Sequence, residues 1–169
     1  MIKIGLIILL IFKSVAAESQ FEQLRVLFFS CNSIEGKKNF YEATRNLDLN
    51  KAENKAYQGV ATAMYADVAE SVSDKISYFN AGKELLEQAI SADWYNAEIR
   101  FLRFSVQAEV PFFLGYSDKK EEDALVVLDA LYNAKIDYKT EFWKKALKFM
   151  VDSNELKDET ETELRRYTV

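Results

Sequence analysis

Apolar residues recur along this chain with helical spacing almost from end to end. Phe21, Leu24, Phe28 and Cys31 fall at i, i+3, i+7 and i+10, with Leu27 beside them, which predicts an amphipathic helix over residues 19–31. A second helix is expected from about Ser33 to Leu47, with Ile34, Phe40, Tyr41 and Ala43 inward. Asn32 and Glu35 have the spacing of a capping box at its start. Asp48 is the expected N-cap of a third helix running to about Ala69. On that helix Ala52, Ala56, Gly59 and Ala63 form a stripe of small residues that would let a neighbour approach closely. Tyr57, Val60, Met64 and Val68 form a second, bulkier stripe, so the helix is contacted from two sides.

Ser73 or Asp74 is expected to cap a fourth helix through Ala92, with Ile76, Phe79, Leu86 and Ile90 inward and Ala81, Gly82, Leu85 and Ala89 alongside. After a short connection Asn96 caps the fifth helix, which is apolar over far more than one side. That breadth marks it as a central packing element. Pro111 ends or kinks it, and Gly115 offers a stop for the Phe112-Phe113-Leu114 turn. Asp118 and Glu121 read as the capping pair of a sixth helix carrying Ala124, Leu125, Leu128 and Leu131. A seventh, from about Lys139, carries Phe142, Ala146, Phe149 and Met150. From Glu155 the chain is charged and weakly periodic, with Leu156, Leu164 and Tyr167 left to dock it. The pattern predicts an all-α domain of about seven helices in antiparallel hairpins. No Pro-, Ser- or Gly-rich linker divides it.

The first residues change the picture of where this domain works. Lys3, the nine residues Ile4 to Phe12, and the small residues Ser14-Val15-Ala16-Ala17 have the layout of an export signal. The apolar run is short of the about 20 residues a membrane span needs. Cleavage after Ala17 would leave a domain of residues 18–169 in the periplasm or outside the cell, with no stable membrane span. Cys31 is the only cysteine, so no intrachain disulfide is available. Glu18, Glu22 and Arg25 separate it from the apolar run, which favours a buried thiol over a lipid-accepting one. The 22 basic and 27 acidic residues give a net charge of −5; loss of Lys3 and Lys13 leaves 20 against 27, or −7. Such a balance argues against nucleic acid and against an anionic membrane surface.

The segment Lys55 to Trp94 resembles the helix pair of a tetratricopeptide repeat. The likeness rests on Gly59, then Gly82, Leu86 and Ala89, and on Ala89-Ile90-Ser91-Ala92-Asp93 as the closing turn. Trp94 stands where that repeat usually closes with proline, and the loop at Ala69–Asp74 lengthens the hairpin. Asn96-Ala97-Glu98 resembles the start of a more degenerate second unit reaching about Asn133. The phrase from Glu98 to Gln107, continued by Val110 to Tyr116, is also similar to a group of small exported proteins of Bacteroidota with no assigned activity. These resemblances imply a right-handed superhelical array and an exported location, and imply nothing about chemistry.

Histidine is absent, which removes the commonest general base and the commonest metal ligand. With one cysteine as well, the usual zinc sites and Cys-His or Ser-His pairs are excluded. There is no glycine loop for phosphate and no dinucleotide fingerprint. Carboxylate chemistry survives this filter, since glycoside hydrolysis needs two acids across a cleft. Glu42, Glu84, Glu98 and Glu109 are candidates, but nothing in the sequence marks a pair among them. Asp118, Glu121, Glu122 and Asp123 form the densest acidic cluster without the spacing of a calcium loop. No cofactor or metal is implied.

Arg100, Arg103 and Gln107 lie at i, i+3 and i+7 and share one face of the fifth helix. They could line a groove and grip a partner's carboxylate. They could instead pair with acids such as Glu84 or Glu87 and hold helices in register, which is the preferred assignment. Phe101, Phe104, Phe112, Phe113 and Tyr116 read as core, while Trp94 and Tyr95, in a connection, have the better claim to exposure. The expectation is a monomeric, non-catalytic module that binds protein or peptide at the cell envelope. Arg100, Arg103, Gln107, Trp94 and Tyr95 are its candidate groove. The alternative is a carboxylate-dependent hydrolase acting on extracytoplasmic glycans.

Overall fold

The computed structural model describes residues 20–168. The export signal expected over residues 1–17 lies outside them. The described chain is all-helical: α1 (residues 20–30), α2 (Ile34–Thr44), α3 (Ala52–Tyr65), α4 (Val72–Ala92), α5 (Ala97–Glu109), α6 (Lys120–Tyr132), α7 (Glu141–Asp152) and α8 (Asp158–Arg165), with a 3-10 turn at Phe112–Leu114. There are thus eight helices among the described residues rather than about seven. None of them is long and apolar enough to cross a membrane.

α5 organises the rest. It packs against α3, α4, α6 and α7, and every residue from Ile99 to Gln107 is buried. α1 covers it from a further side, where Phe28 and Phe29 bring their rings to 5.7 and 6.1 Å from Phe101. Phe142 of α7 closes the same cluster, 5.7 Å from Phe101. Cys31 is a buried thiol, as expected.

α3 and α4 form the tightest pair, and the small-residue stripe explains it. A Cβ on Gly82 would lie 2.5 Å from the Ala63 amide nitrogen and 2.5 Å from the Gly59 carbonyl oxygen. The two backbones are therefore in direct contact, and Gly82 is the residue that permits it. Tyr65 and Tyr78 meet at 4.8 Å while Gly59 faces Leu86, so the pair runs antiparallel.

The helix starts differ from expectation in four places, each for a local reason. Ser33, not Asn32, caps α2, its hydroxyl accepting from the Gly36 amide at 3.0 Å. Asp48 does not cap α3; its carboxylate closes an Asx turn on the Asn50 amide, and Lys51 starts the helix without a side-chain cap. Ser71 caps α4, two residues before the expected site, and Asp74 supplies the reciprocal acid. Asp118 does not cap α6, which begins at Lys119 and Lys120. Asn96 does cap α5, accepting from the amides of Glu98 and Ile99.

α3 ends at Tyr65, before the expected Ala69, and Ile34, Ala43, Ile76, Ala81 and Leu125 face solvent rather than core. Pro111 ends α5, and Gly115 takes the left-handed conformation, φ 61°, that closes the 3-10 turn. The charged closing stretch forms α8, with Leu164 and Thr160 buried. Glu121 anchors it, accepting from the Thr160 hydroxyl at 2.5 Å and the Lys157 amide at 3.2 Å. The end of the chain is thus docked more firmly than its composition implied.

Candidate functional site

The polar face of α5 is an internal layer. Arg100 is wholly buried, and Arg103 and Gln107 nearly so. The partner that receives them is Asp123 of α6, itself without exposed surface. Its Oδ1 accepts from Arg100 Nη1 at 3.0 Å and Arg103 Nη2 at 2.6 Å; its Oδ2 accepts from Arg103 Nε at 2.9 Å and Gln107 Nε2 at 3.0 Å. Glu122 Oε1 reaches both guanidinium groups, at 2.6 and 3.0 Å, and Glu87 of α4 takes Arg103 Nη1 at 3.0 Å. Gln107 also accepts from the Lys119 amide at 2.8 Å, pinning the residue from which α6 starts.

Charges follow from this packing. Burial pushes the Asp123 carboxyl above its ordinary range, against the opposing pull of Arg103 and Arg100. Burial also works to raise Glu122, but its bonds to Arg100 and Arg103 hold it below the usual value. Arg103 loses charge stabilisation by burial, yet Asp123 and then Glu87 hold its guanidinium above the ordinary value.

Arg100, Arg103 and Gln107 therefore do not line an open groove. A guanidinium removed from water needs a fixed acid beside it, and these have one. Of the acids expected to serve, Glu87 does, through Arg103, while Glu84 bonds Gln88 instead. The principal acid, Asp123, lies on the following helix. Within the acidic cluster its burial could have been suspected from Ala124, Val127 and Leu131 on the same face.

Trp94 and Tyr95 are exposed, as expected for a connection. Trp94 is still tied to the layer: the Arg100 guanidinium lies 4.0 Å from its ring centre, and its carbonyl accepts from Arg100 Nε at 2.9 Å. Tyr95 instead borders a cleft of about 390 Å³ between the start of α5, α1 and the α6–α7 connection. Arg25, Glu98, Lys135, Asp137 and Trp143 complete the part of the lining that carries charge or an aromatic ring. Arg25 spans from α1 to α5, its Nε and Nη2 donating to Glu98 at 3.0 and 2.5 Å, and Tyr57 donates to the same carboxylate. Burial, then Glu98, hold the Tyr57 phenol well above its ordinary range.

Arg25, Lys135 and Trp143 were not legible as site residues. Arg25 sits on the polar side of an amphipathic helix, and its partner is 73 residues away. The acidic cluster at the start of α6 is dispersed among arginines and α8, and no group of acids or cysteine among the described residues could hold a metal ion. Comparison with protein-family models, with curated proteins and with solved structures gives no match.

Proposed function

We propose that the protein is a non-catalytic binding module, monomeric and exported to the cell envelope, that holds a segment of peptide or protein in the cleft beside Tyr95. The observation that carries this reading is the composition of that cleft. The exposed Tyr95 ring and the half-buried Ile136 stand beside Arg25, Lys135, Glu98 and Asp137, over a floor of buried Ala97, Ala130 and Trp143. An extended segment needs this mixture: surface for side chains, and donors and acceptors for the chain between them. The volume, about 390 Å³, lies at the lower end of ligand clefts, which hold about 300–1,000 Å³. The antiparallel α3–α4 hairpin with glycines at its crossing supports kinship with tetratricopeptide-type repeats.

Tyr95 and Lys135 are exposed, so Tyr95→Ala and Lys135→Ala should leave the melting temperature unchanged. Selection of binders from a random peptide library with the wild-type protein should yield sequences that the double variant holds at least ~10-fold more weakly, the loss of one buried aromatic anchor. Selected peptides that bind both proteins equally would remove the cleft from consideration.

A hydrolytic reading has one observation in its favour: Glu98 and Asp137 line the same cleft. Against it, both Glu98 oxygens already accept from Arg25, and Asp137 accepts from the Lys139 amide at 3.0 Å. Release of reducing ends from envelope glycans, lost in Glu98→Gln, would favour hydrolysis over binding.

A further inference from the structure

The turn after α5 carries the most exposed large apolar residues in the described chain. Phe112 is 88% exposed and Phe113 83%. The sequence places both among core aromatics; the structure keeps Phe101, Phe104 and Tyr116 inside and turns these two out. Backbone hydrogen bonds define the turn that does so. Pro111 enters at φ −58°, the Leu114 amide donates to the Pro111 carbonyl at 3.0 Å, and the Gly115 amide donates to Phe112 at 3.1 Å. Leu114 packs back on the core, and Tyr116 is fixed by the Glu87 carboxylate at 2.7 Å. Two neighbouring rings are thus presented on a short, anchored, convex turn; a Cβ placed on Gly115 would meet nothing within 4 Å.

We propose that this turn is a lipid-contact element, inserting Phe112 and Phe113 into the interfacial zone of an electrically neutral bilayer. Two features select that occupant. The first is area: two phenylalanine rings and a proline offer roughly 300–400 Å². That is short of the roughly 500 Å² each partner contributes to the smallest stable protein interface. A bilayer interface needs no matched partner surface and takes up phenylalanine side chains at the boundary of headgroups and acyl chains. The second is charge. The eight residues Val110 to Ser117 carry none, and the molecule as a whole is net negative. Nothing at the tip attracts anionic headgroups, and the remainder repels them, so zwitterionic lipid is the matching surface.

The cleft and the turn sit at opposite ends of α5, whose 13 residues span about 20 Å. Contact with lipid therefore leaves the cleft open, and this inference stands or falls separately from the binding reading.

The experiment is sedimentation with phosphatidylcholine vesicles, using the chain from Glu18 onward, which carries every described helix. Two rings bind less strongly than one myristoyl chain, so half-binding is expected at about 1 mM lipid. Phe112→Ser/Phe113→Ser should bind at least ~10-fold more weakly with an unchanged thermal melt, because neither ring supports the core. Phe113→Trp should add emission that shifts to the blue on the same vesicles, and phosphatidylglycerol should reduce binding. The proposal is overturned by absence of sedimentation at several millimolar lipid, or by equal binding of the double variant. It is also overturned by self-association that the double variant abolishes while vesicle binding is absent; that would assign the turn to a second copy.

Discussion

Asp123 has no contact with water, yet four side-chain donor groups converge on its two oxygens. Removing it strands Arg100 and Arg103 in the interior, leaving Glu122 and Glu87, whose side chains are 37% and 43% exposed. Breaking a buried pair from one side costs about 3–5 kcal/mol, chiefly through the charge left behind. Asp123→Ala is therefore expected to lower the urea midpoint by that equivalent. Glu122→Ala, which removes a partly solvated member of the same network, should cost no more than about 1 kcal/mol. Equal losses in the two variants would show that the layer does not act as a buried network centred on Asp123. The layer was half legible. Arg100, Arg103 and Gln107 share a face by arithmetic alone, but which acid meets them depends on how α6 returns after Pro111, and no local pattern encodes that.

At the level of elements, the chain announces its helices more clearly than their ends. Periodicity reports a buried stripe averaged over many residues, so α1, α4, α5 and α7 were readable from Phe28, Leu86, Phe101 and Ala146. Caps depend on one side chain choosing among nearby amides; Ser33 and Ser71 won those choices over Asn32 and Ser73, and α6 starts with no side-chain cap where Asp118 was expected to supply one. Small-residue spacing, by contrast, carried tertiary information. The stripe on α3 predicted close approach, and Gly82 opposite it makes the contact. Gly82→Ala should destabilise by about 3 kcal/mol despite alanine's better helix propensity, because backbone atoms of α3 would have to move away. Gly115→Ala adds no contact and should cost about 1 kcal/mol, the strain of a left-handed alanine. Thermal melts of the two variants check the difference; a larger drop for Gly115→Ala would mean that the helix pair can open cheaply.

For the whole molecule, two buried phenols tie stability to alkaline pH. Burial and then the neighbouring Glu98 raise Tyr57, and burial with the hydrogen bond to Glu87 raises Tyr116, both from an ordinary value of 10.0. The folded protein keeps these protons where the unfolded chain gives them up. The contribution is therefore complete below pH 10 and falls as pH rises above it, by about 1.4 kcal/mol per pH unit for each tyrosine. The buried Cys31 thiol, pushed up from 9.0 by desolvation, brings the start of the decline to about pH 9, and Tyr41 and Tyr132, also raised, add to it above pH 10. Urea midpoints should therefore fall across pH 9 to 11, and Tyr116→Phe should lessen the slope above pH 10 by about one proton. A level profile through pH 11 would mean that the two hydroxyls are not held as described. None of this was readable in advance, since Tyr57 is separated from Glu98 by 41 residues and Tyr116 from Glu87 by 29.

The burial of α5 on all sides from Ile99 to Gln107 has a kinetic meaning. A helix at the surface can fray or lift while its neighbours stay folded, and its amide protons then exchange with solvent ahead of global unfolding. α5 has no such route: lifting it would uncover α3, α4, α6 and α7 together. Its amides in deuterated water should exchange last, at a rate set by complete unfolding alone. They give a clock for the whole molecule that can be read from a single helix.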